Sequence, residues 1–354
     1  MPYPLGEAPS QRFRFEQYLS ILNYKGFEIT VKPFFKKQTW TILYKNGMYF
    51  RKTLGVLSGF ASRIGMLFSV HRYDFVFIHR EASPLGPPIF EFLIAKIFLK
   101  KIIFDFDDAI WIPTTSNENV IAAKIKWHSK TALICRWSYK VSCGNEYLCN
   151  YAKQYNKNVV LNPTTIDTES LHNPALHQNV LKETGKVTIG WTGTHSTLKY
   201  LETVVPLFKI LLKNFPNQIR FLVIADKKPE WDLTLMDFLL WAKQSEVEDL
   251  MKFDIGIMPL TDDTWAQGKC GFKALQYMSL EIPTIASPVG VNTEIINHEE
   301  NGFLCTESDE WLSILARLIS DVSLRDKIGK SSRKTVIDKY SIKSNTQTFL
   351  GLFA

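Results

Sequence analysis

Residues 253–304, FDIGIMPLTDDTWAQGKCGFKALQYMSLEIPTIASPVGVNTEIINHEENGFLC, decide how this chain is read. Residues 253–260 form a short apolar run carrying Ile255, Ile257 and Met258 before Pro259, which reads as a buried strand. Residues 272–280 place Phe272, Leu275 and Met278 at helical spacing, and 283–287 (PTIAS) is a second short strand. The polar loop TDDTWAQGKCG therefore leaves the carboxyl end of a strand and feeds a helix N-terminus, the position where open α/β sheets bind ligands. Gly268 and Gly271 let backbone amides approach an anion, the helix dipole adds positive potential, and Lys269 and Lys273 supply full charge. A diphosphate is the group such a loop suits. A solvated basic loop is the alternative that a Lys-Gly pair alone would allow.

Working outward, the 354 residues exceed what one hydrophobic core usually supports, so two domains are expected. In the N-terminal half, 27–35 (FEITVKPFF), 73–80 (YDFVFIHR) and 100–106 (KKIIFDF) read as strands, and 13–26 and 89–100 as helices. Residues 141–167 add a strand, a helix and a strand. Beyond Leu171 a His-, Asn- and Pro-rich loop precedes a fresh α/β run: KVTIGWTG, LETVVPLFKILLKNF and IRFLVIAD. The expected organisation is an α/β domain over 1–170, a second over 171–340, and a tail over 341–354 that packs back on the first. The first residues, MPYPLGEAPSQRFRFEQYL, enter a helix with no strand before it, so the opening strand of the first domain is expected either to lie upstream of Met1 or to be missing.

The 253–304 segment resembles the donor-binding signature of retaining, GT-B-fold glycosyltransferases of family 4. The resemblance is carried by Gly268 to Gly271, Lys273, Gln276-Tyr277-Met278, Pro283 to Ser287, Val289-Gly290, Glu294 and Asn301-Gly302. It implies a GT-B fold, two Rossmann-like domains facing across a cleft. It implies transfer of a sugar from a nucleotide-sugar donor (UDP- or GDP-linked) to a glycan or lipid-linked acceptor, with retention of configuration. No metal and no other cofactor is then expected, and bacterial cell-surface polysaccharide synthesis is the expected setting for this hexosyltransferase-type activity. In such proteins the turn after the first strand of the second domain carries an Arg and a Lys that grip the diphosphate. Aligned on Gly193, these positions are Thr194 and Lys199, with His195 in the same turn, so Lys199, Lys269 and Lys273 would share the anion.

The chain departs from the family pattern at three places. Gly268 and Gln276 stand where two glutamates are usual, leaving an amide rather than a carboxylate to meet a ribose hydroxyl. Glu281 stands where glycine usually takes a left-handed turn, at a cost of about 1 kcal/mol. Glu294 corresponds to a carboxylate near donor-sugar or ribose hydroxyls, with helix capping as its alternative. A GT-B-like scaffold without turnover, and a nucleotide-sugar epimerase, remain open beside the transferase.

In the first domain FDFDDAIW ends a strand with three aspartates. Asp107 and Asp108 are expected on the acceptor side of the cleft, where one could orient an acceptor hydroxyl; a helix cap is the plainer alternative. His79, Arg80 and Glu81 end another strand, and Arg12 and Arg14 on the first helix could hold an acceptor phosphate. Ser196 or Thr197 is the expected N-cap of the helix after Gly193.

Residues 1–160 carry a net +11 and the remainder −4. The basic residues of 1–160 are scattered among apolar ones without a nucleic-acid motif, so nucleic acid is not an expected partner. Residues 40–70 combine aromatic and aliphatic side chains with Lys45, Arg51, Lys52 and Arg63 and contain no acid, a pattern suited either to a buried helix pair with snorkelling cations or, as expected here, to peripheral contact with an anionic membrane. With no signal peptide, no spanning segment and five cysteines read as reduced thiols, the expected location is cytoplasmic, at the inner face of the membrane.

Overall fold

The computed structural model describes residues 1–354 apart from 44, 46, 114–125, 181, 183–184 and 231–232. The chain divides into two compact units, Met1–Thr164 with Asn345–Ala354, and Thr165–Ser344.

In the first unit β1 (Phe75–His79), β2 (Lys101–Phe106), β3 (Lys140–Cys143) and β4 (Val159–Leu161) form a parallel sheet in that order. β2 is buried from Ile102 to Phe106, as expected for a central parallel strand covered on both faces. Its one acid, Asp105, is fully buried and paired with Arg14, with His79 Nδ1 (2.8 Å) and with the Ser142 hydroxyl (2.6 Å). Arg14 is therefore structural: it also donates to the Asn162 carbonyl, and so ties the first helix, Pro9–Arg14, to the strand ends. No strand precedes β1 among the described residues. The segment 27–35, expected as one, is irregular. Pro33 removes a ladder donor, and the amides of Phe34 and Phe35 bond instead to the carbonyls of Met1 and Pro2. Phe34 and Phe35 are buried all the same, so the hydrophobic signal reported burial without pairing. The helix expected over 89–100 is shorter and broken, with a helical turn at Ile89–Phe92, a π turn at Leu93–Ile97 and a stop at Leu99, where φ is +52°.

The ten residues Asn345–Ala354 complete this unit. Phe349 stacks on Tyr18 at 4.2 Å, and Phe353 meets Phe27, Phe75 and Phe77. The five cysteines, spread over both units, are buried free thiols.

The second unit is built on β5 (Val187–Gly193), β6 (Ile219–Ala225), β7 (Asp237–Leu240), β8 (Ile255–Met258), β9 (Thr284–Ala286) and β10 (Phe303–Leu304). All pairings are parallel, in the order β10-β9-β8-β5-β6-β7. The helices Val205–Asn214 and Ser308–Ser320 bury Leu207, Phe208 and Leu211, and Trp311, Ile314, Leu315, Leu318 and Ile319, at helical spacing, against one face of this sheet. The chain runs outward from β5 to β7 and then returns to lay β8 on the other side of β5. Strand order reverses between β5 and β8, and their carboxyl ends open a crevice.

Candidate donor-binding site

Two loops border that crevice, one leaving β5 and one leaving β8. After β5, Thr194 caps the turn His195–Thr197, and the helix Leu198–Glu202 follows. Thr197 stands at the expected N-cap position of Leu198–Glu202 but makes no side-chain cap bond to that helix; its hydroxyl instead closes the capping box of the preceding turn with Thr194. The Thr194 amide donates to Thr197 Oγ1 (3.1 Å), and the Thr197 hydroxyl donates to the Thr194 carbonyl (3.0 Å). Gly193 is required by close approach: a Cβ there would stand 2.4 Å from the Trp191 ring and 2.7 Å from Thr197 Oγ1.

After β8, Asp263 caps the short helix Thr264–Gln267 by accepting from the Ala266 amide (2.8 Å). Gly271 then takes φ +65° to start the helix Phe272–Ser279, and a Cβ there would meet the Ile295 side chain at 2.3 Å. Tyr277 on that helix accepts from the Thr192 amide (2.9 Å), fastening the helix to β5.

This scaffold brings together the three lysines singled out in the sequence. Lys273 donates to Thr197 Oγ1 (3.3 Å) and lies 4.3 Å from the centre of the Trp191 ring, so it bridges the two loops. Lys199 and Lys269 both lie against Tyr200, at 4.8 and 5.8 Å, and Lys269 also against Trp265 at 5.7 Å. Burial holds the Lys273 ammonium well below the usual lysine range, and the charge of Lys269 pushes it the same way. Burial raises the Asp263 carboxyl, but the Ala266 amide, the Thr261 hydroxyl and Lys199 outweigh it and hold the carboxyl below its ordinary value. The β8 acid thus answers a cation of the β5 loop. A cluster of cations with Lys273 partly desolvated is what an oxyanion would relieve.

Other residues named in the sequence sit apart. His195 turns to Asp226 at the end of β6, its amide donating at 2.6 Å and its Nδ1 lying 2.8 Å from the carboxylate. Gln276 is buried, its amide nitrogen 3.2 Å from Glu246 Oε1 and 3.3 Å from His172 Nε2, so that nitrogen serves the interior of the unit. Glu294, on the short helix Asn292–Ile295, is exposed, and its charge adds to burial in raising the Tyr340 hydroxyl to about 12. Glu281 holds the left-handed turn expected of it, at φ +59°.

In the first unit Arg80 holds both acids proposed for the acceptor side, Asp107 at 2.8 Å and Asp108 at 2.5 Å. Burial opposes ionisation of Asp107, yet Arg80, His79 and Arg14 outweigh it and hold the carboxyl low. Sequence reading missed Trp191, Thr197 and Tyr200 as the groups that seat the lysines. The one available signal was an aromatic next to Lys199.

Residues 186–321 match the family model of glycosyl transferases group 1. The chain is 26% identical over 162 residues to the capsular polysaccharide biosynthesis glycosyltransferase CapM of Staphylococcus aureus, which covers 43% of this chain and 42% of CapM. The alignment therefore spans less than half the length of that relative. Among solved structures, Anabaena HepE in complex with UDP superposes with a TM-score of 0.60 at 17% identity, over 85% of this chain and 83% of HepE. Sucrose-phosphate synthase of Thermosynechococcus elongatus gives a TM-score of 0.62 at 13% identity, over 84% of this chain and 77% of that one. The two parallel-sheet units thus have the GT-B fold of glycosyltransferases, and the lysine-lined crevice lies within the segment that resembles glycosyl transferases group 1.

Proposed function

We propose that the chain is a glycosyltransferase that takes a nucleotide-sugar and transfers its sugar, with retention of configuration, to a glycan or lipid-linked saccharide. The observation that carries this reading is the convergence of Lys199, Lys269 and Lys273 at the reversal of strand order between β5 and β8. The three ammonium groups and the N-terminus of Phe272–Ser279 would bind the diphosphate and stabilise the charge that develops on it as the glycosidic bond to the donor breaks. That charge is neutralised by side chains, so the reading expects transfer without a metal ion. The relative named for capsule synthesis supports a surface saccharide as acceptor, and the UDP complex of the structural neighbour makes uridine the first base to test.

The test is calorimetric titration with UDP, GDP, ADP and TDP, with and without Mg²⁺, on wild type and on Lys273→Ala, followed by transfer assays with the matching sugar donors. Binding of one nucleotide without Mg²⁺, lost in the variant, supports the site. Absence of binding by all four to a folded protein refutes it. A chain that binds but never transfers is the scaffold reading, which the commitment of Gln276 to Glu246 and His172 favours.

The acceptor reading includes contact with an anionic bilayer. The helix Tyr49–Leu67 exposes Tyr49 (79%), Phe50 (76%), Leu54 and Leu57, with Arg51 beside them, and Phe68 (79%) follows. Arg63, counted with the basic residues from sequence, faces inward instead and donates to the Ala82 carbonyl at 2.7 Å. Tyr44 and Asn46 of the same stretch lie outside the described residues. Among the described residues no helix is long and apolar enough to cross a membrane. Co-sedimentation with phosphatidylglycerol vesicles, lost in Tyr49→Ser/Phe50→Ser and at high salt, supports contact; equal sedimentation of wild type and variant refutes it.

A further inference from the structure

Beyond the ends of β1 and β2 the first unit holds a cavity of about 30 Å³. At about 10–15 Å³ for each water-sized occupant, it has room for about two oxygen atoms. Its walls include Arg80, Glu81, Ile110, Lys126, His128 and Lys130. Three of these side chains are already spoken for. Arg80 is held by Asp107 and Asp108, and Lys130 by Glu81 (2.7 Å) and the Ser83 carbonyl (2.8 Å).

Lys126 and His128 are not. Lys126 makes no hydrogen bond or ion pair among the described residues. Burial holds its ammonium below the ordinary lysine range, Arg80 and Lys130 push it the same way, and Glu81 and Asp108 oppose them. His128 Nδ1 meets the Ile110 carbonyl at 3.3 Å, while Nε2 is buried with no partner among the described residues. A buried ring nitrogen without a partner calls for a ligand, because leaving it unmet costs about 1–3 kcal/mol. A phosphoryl oxygen meets Nε2 in either protonation state of the ring, as O–H toward a neutral imidazole or as O⁻ toward an imidazolium.

We propose that this cavity is a phosphoryl-binding seat, with Lys126 and His128 as the two side chains that meet the phosphoryl oxygens and the Arg80 and Lys130 ion pairs as its fixed walls. It is separate from the lysine cluster of the second unit and stands whether or not that cluster supports transfer. If the transferase reading holds, the seat takes the phosphoryl group of a saccharide phosphate on the acceptor side.

Inorganic phosphate is the probe. It is titrated at constant ionic strength into full-length Lys269→Met/Lys273→Met protein, in which the other anion site is silenced, and into the same protein carrying Lys126→Met or His128→Phe. Saturable binding weakened tenfold or more by each added substitution is the expected result. Equal affinity in all three proteins overturns the seat. The unaltered chain, crystallised and soaked in tungstate, gives a second readout that no folding defect can confuse. An anomalous peak between Lys126 Nζ and His128 Nε2 supports the proposal, and tungstate confined to Lys199, Lys269 and Lys273 overturns it. Failure of the seat leaves UDP titration at the second unit unaffected, so the two readings fall separately.

Discussion

Lys273→Met is expected to tighten the fold and loosen the ligand. In the free protein the ammonium gains a contact with the Trp191 ring at 4.3 Å, worth roughly 1–2 kcal/mol at a site shielded from water, and a 3.3 Å hydrogen bond to Thr197. Against these stand the loss of water around a buried cation and the repulsion of Lys269, which together hold the group well below its ordinary range. Methionine keeps the packing on Trp191 and sheds the charge, for a net gain of about 1 kcal/mol, or roughly 2–4 °C in Tm for a unit of this size. The sign with pH follows. The folded-state value lies below the unfolded one, so the unfolded chain binds more protons between the two. Wild-type stability should therefore rise with pH from the depressed folded value up to the ordinary lysine value of 10.5, and the variant should lack that rise. A bound diphosphate reverses the balance by supplying the missing anion. Loss of a charged hydrogen bond to it costs about 1.5–3 kcal/mol, roughly 10- to 150-fold in Kd. Nucleotide binding should also take up protons, seen in calorimetry as a heat that depends on the ionisation enthalpy of the buffer. A variant with lower Tm and unchanged nucleotide affinity would refute both halves of the reasoning.

Three further outcomes are expected. Gly193→Ala forces a methyl group into Trp191 and Thr197, and overpacking of this kind costs about 1–3 kcal/mol; nucleotide affinity should fall roughly tenfold because Lys273 rests on both, as calorimetry would show. Asp105→Asn leaves Arg14 buried without its anion and should cost the first unit about 3–5 kcal/mol in urea unfolding. The Asp105 carboxyl is held low by Arg14 and His79 against burial, so the stability it confers is present above the ordinary value of 3.8 and is lost as pH falls from there toward its depressed folded value. Glu281→Gly removes a left-handed glutamate at φ +59° and gives up a long, part-exposed contact with Arg333 (3.8 Å); thermal unfolding should show a net gain of about 0.5–1 kcal/mol.

The second unit was the more legible half of the chain. The strands expected at 253–260 and 283–287 contain β8 and β9, because short apolar runs bounded by proline and polar loops have few other ways to bury themselves. Lys269 and Lys273 could be placed from sequence because one turn and one helix start fix their positions. Trp191, Thr197 and Tyr200 could not, since their nearness to those lysines depends on β5 pairing with β8 across more than sixty residues of chain. In the first unit local pattern misled at 27–35, where alternation promised a strand and Pro33 with its surroundings denied it a partner. From sequence Arg14 could hold an acceptor phosphate and Arg63 belongs to the membrane-facing stretch, whereas both are buried on carbonyls or on Asp105. A charged residue's periodicity does not say whether a distant partner waits inside. The cavity beside Arg80 was equally invisible, since its walls come from four separate stretches of sequence.

The return of Asn345–Ala354 to the first unit sets an order of events at the ribosome. The second unit is one unbroken stretch, Thr165–Ser344, so all of its residues are present once that stretch has emerged. The first unit, begun earlier, must wait: Tyr18, Phe27, Phe75 and Phe77 stay without Phe349 and Phe353, and Lys140 and Tyr139 without the carbonyls of Gly351 and Ala354, until Asn345–Ala354 is made. The half synthesised first is thus finished last. During that interval an exposed aromatic surface is a target for chaperones, and a nascent chain stalled before residue 345 should be protease-resistant only in its second unit.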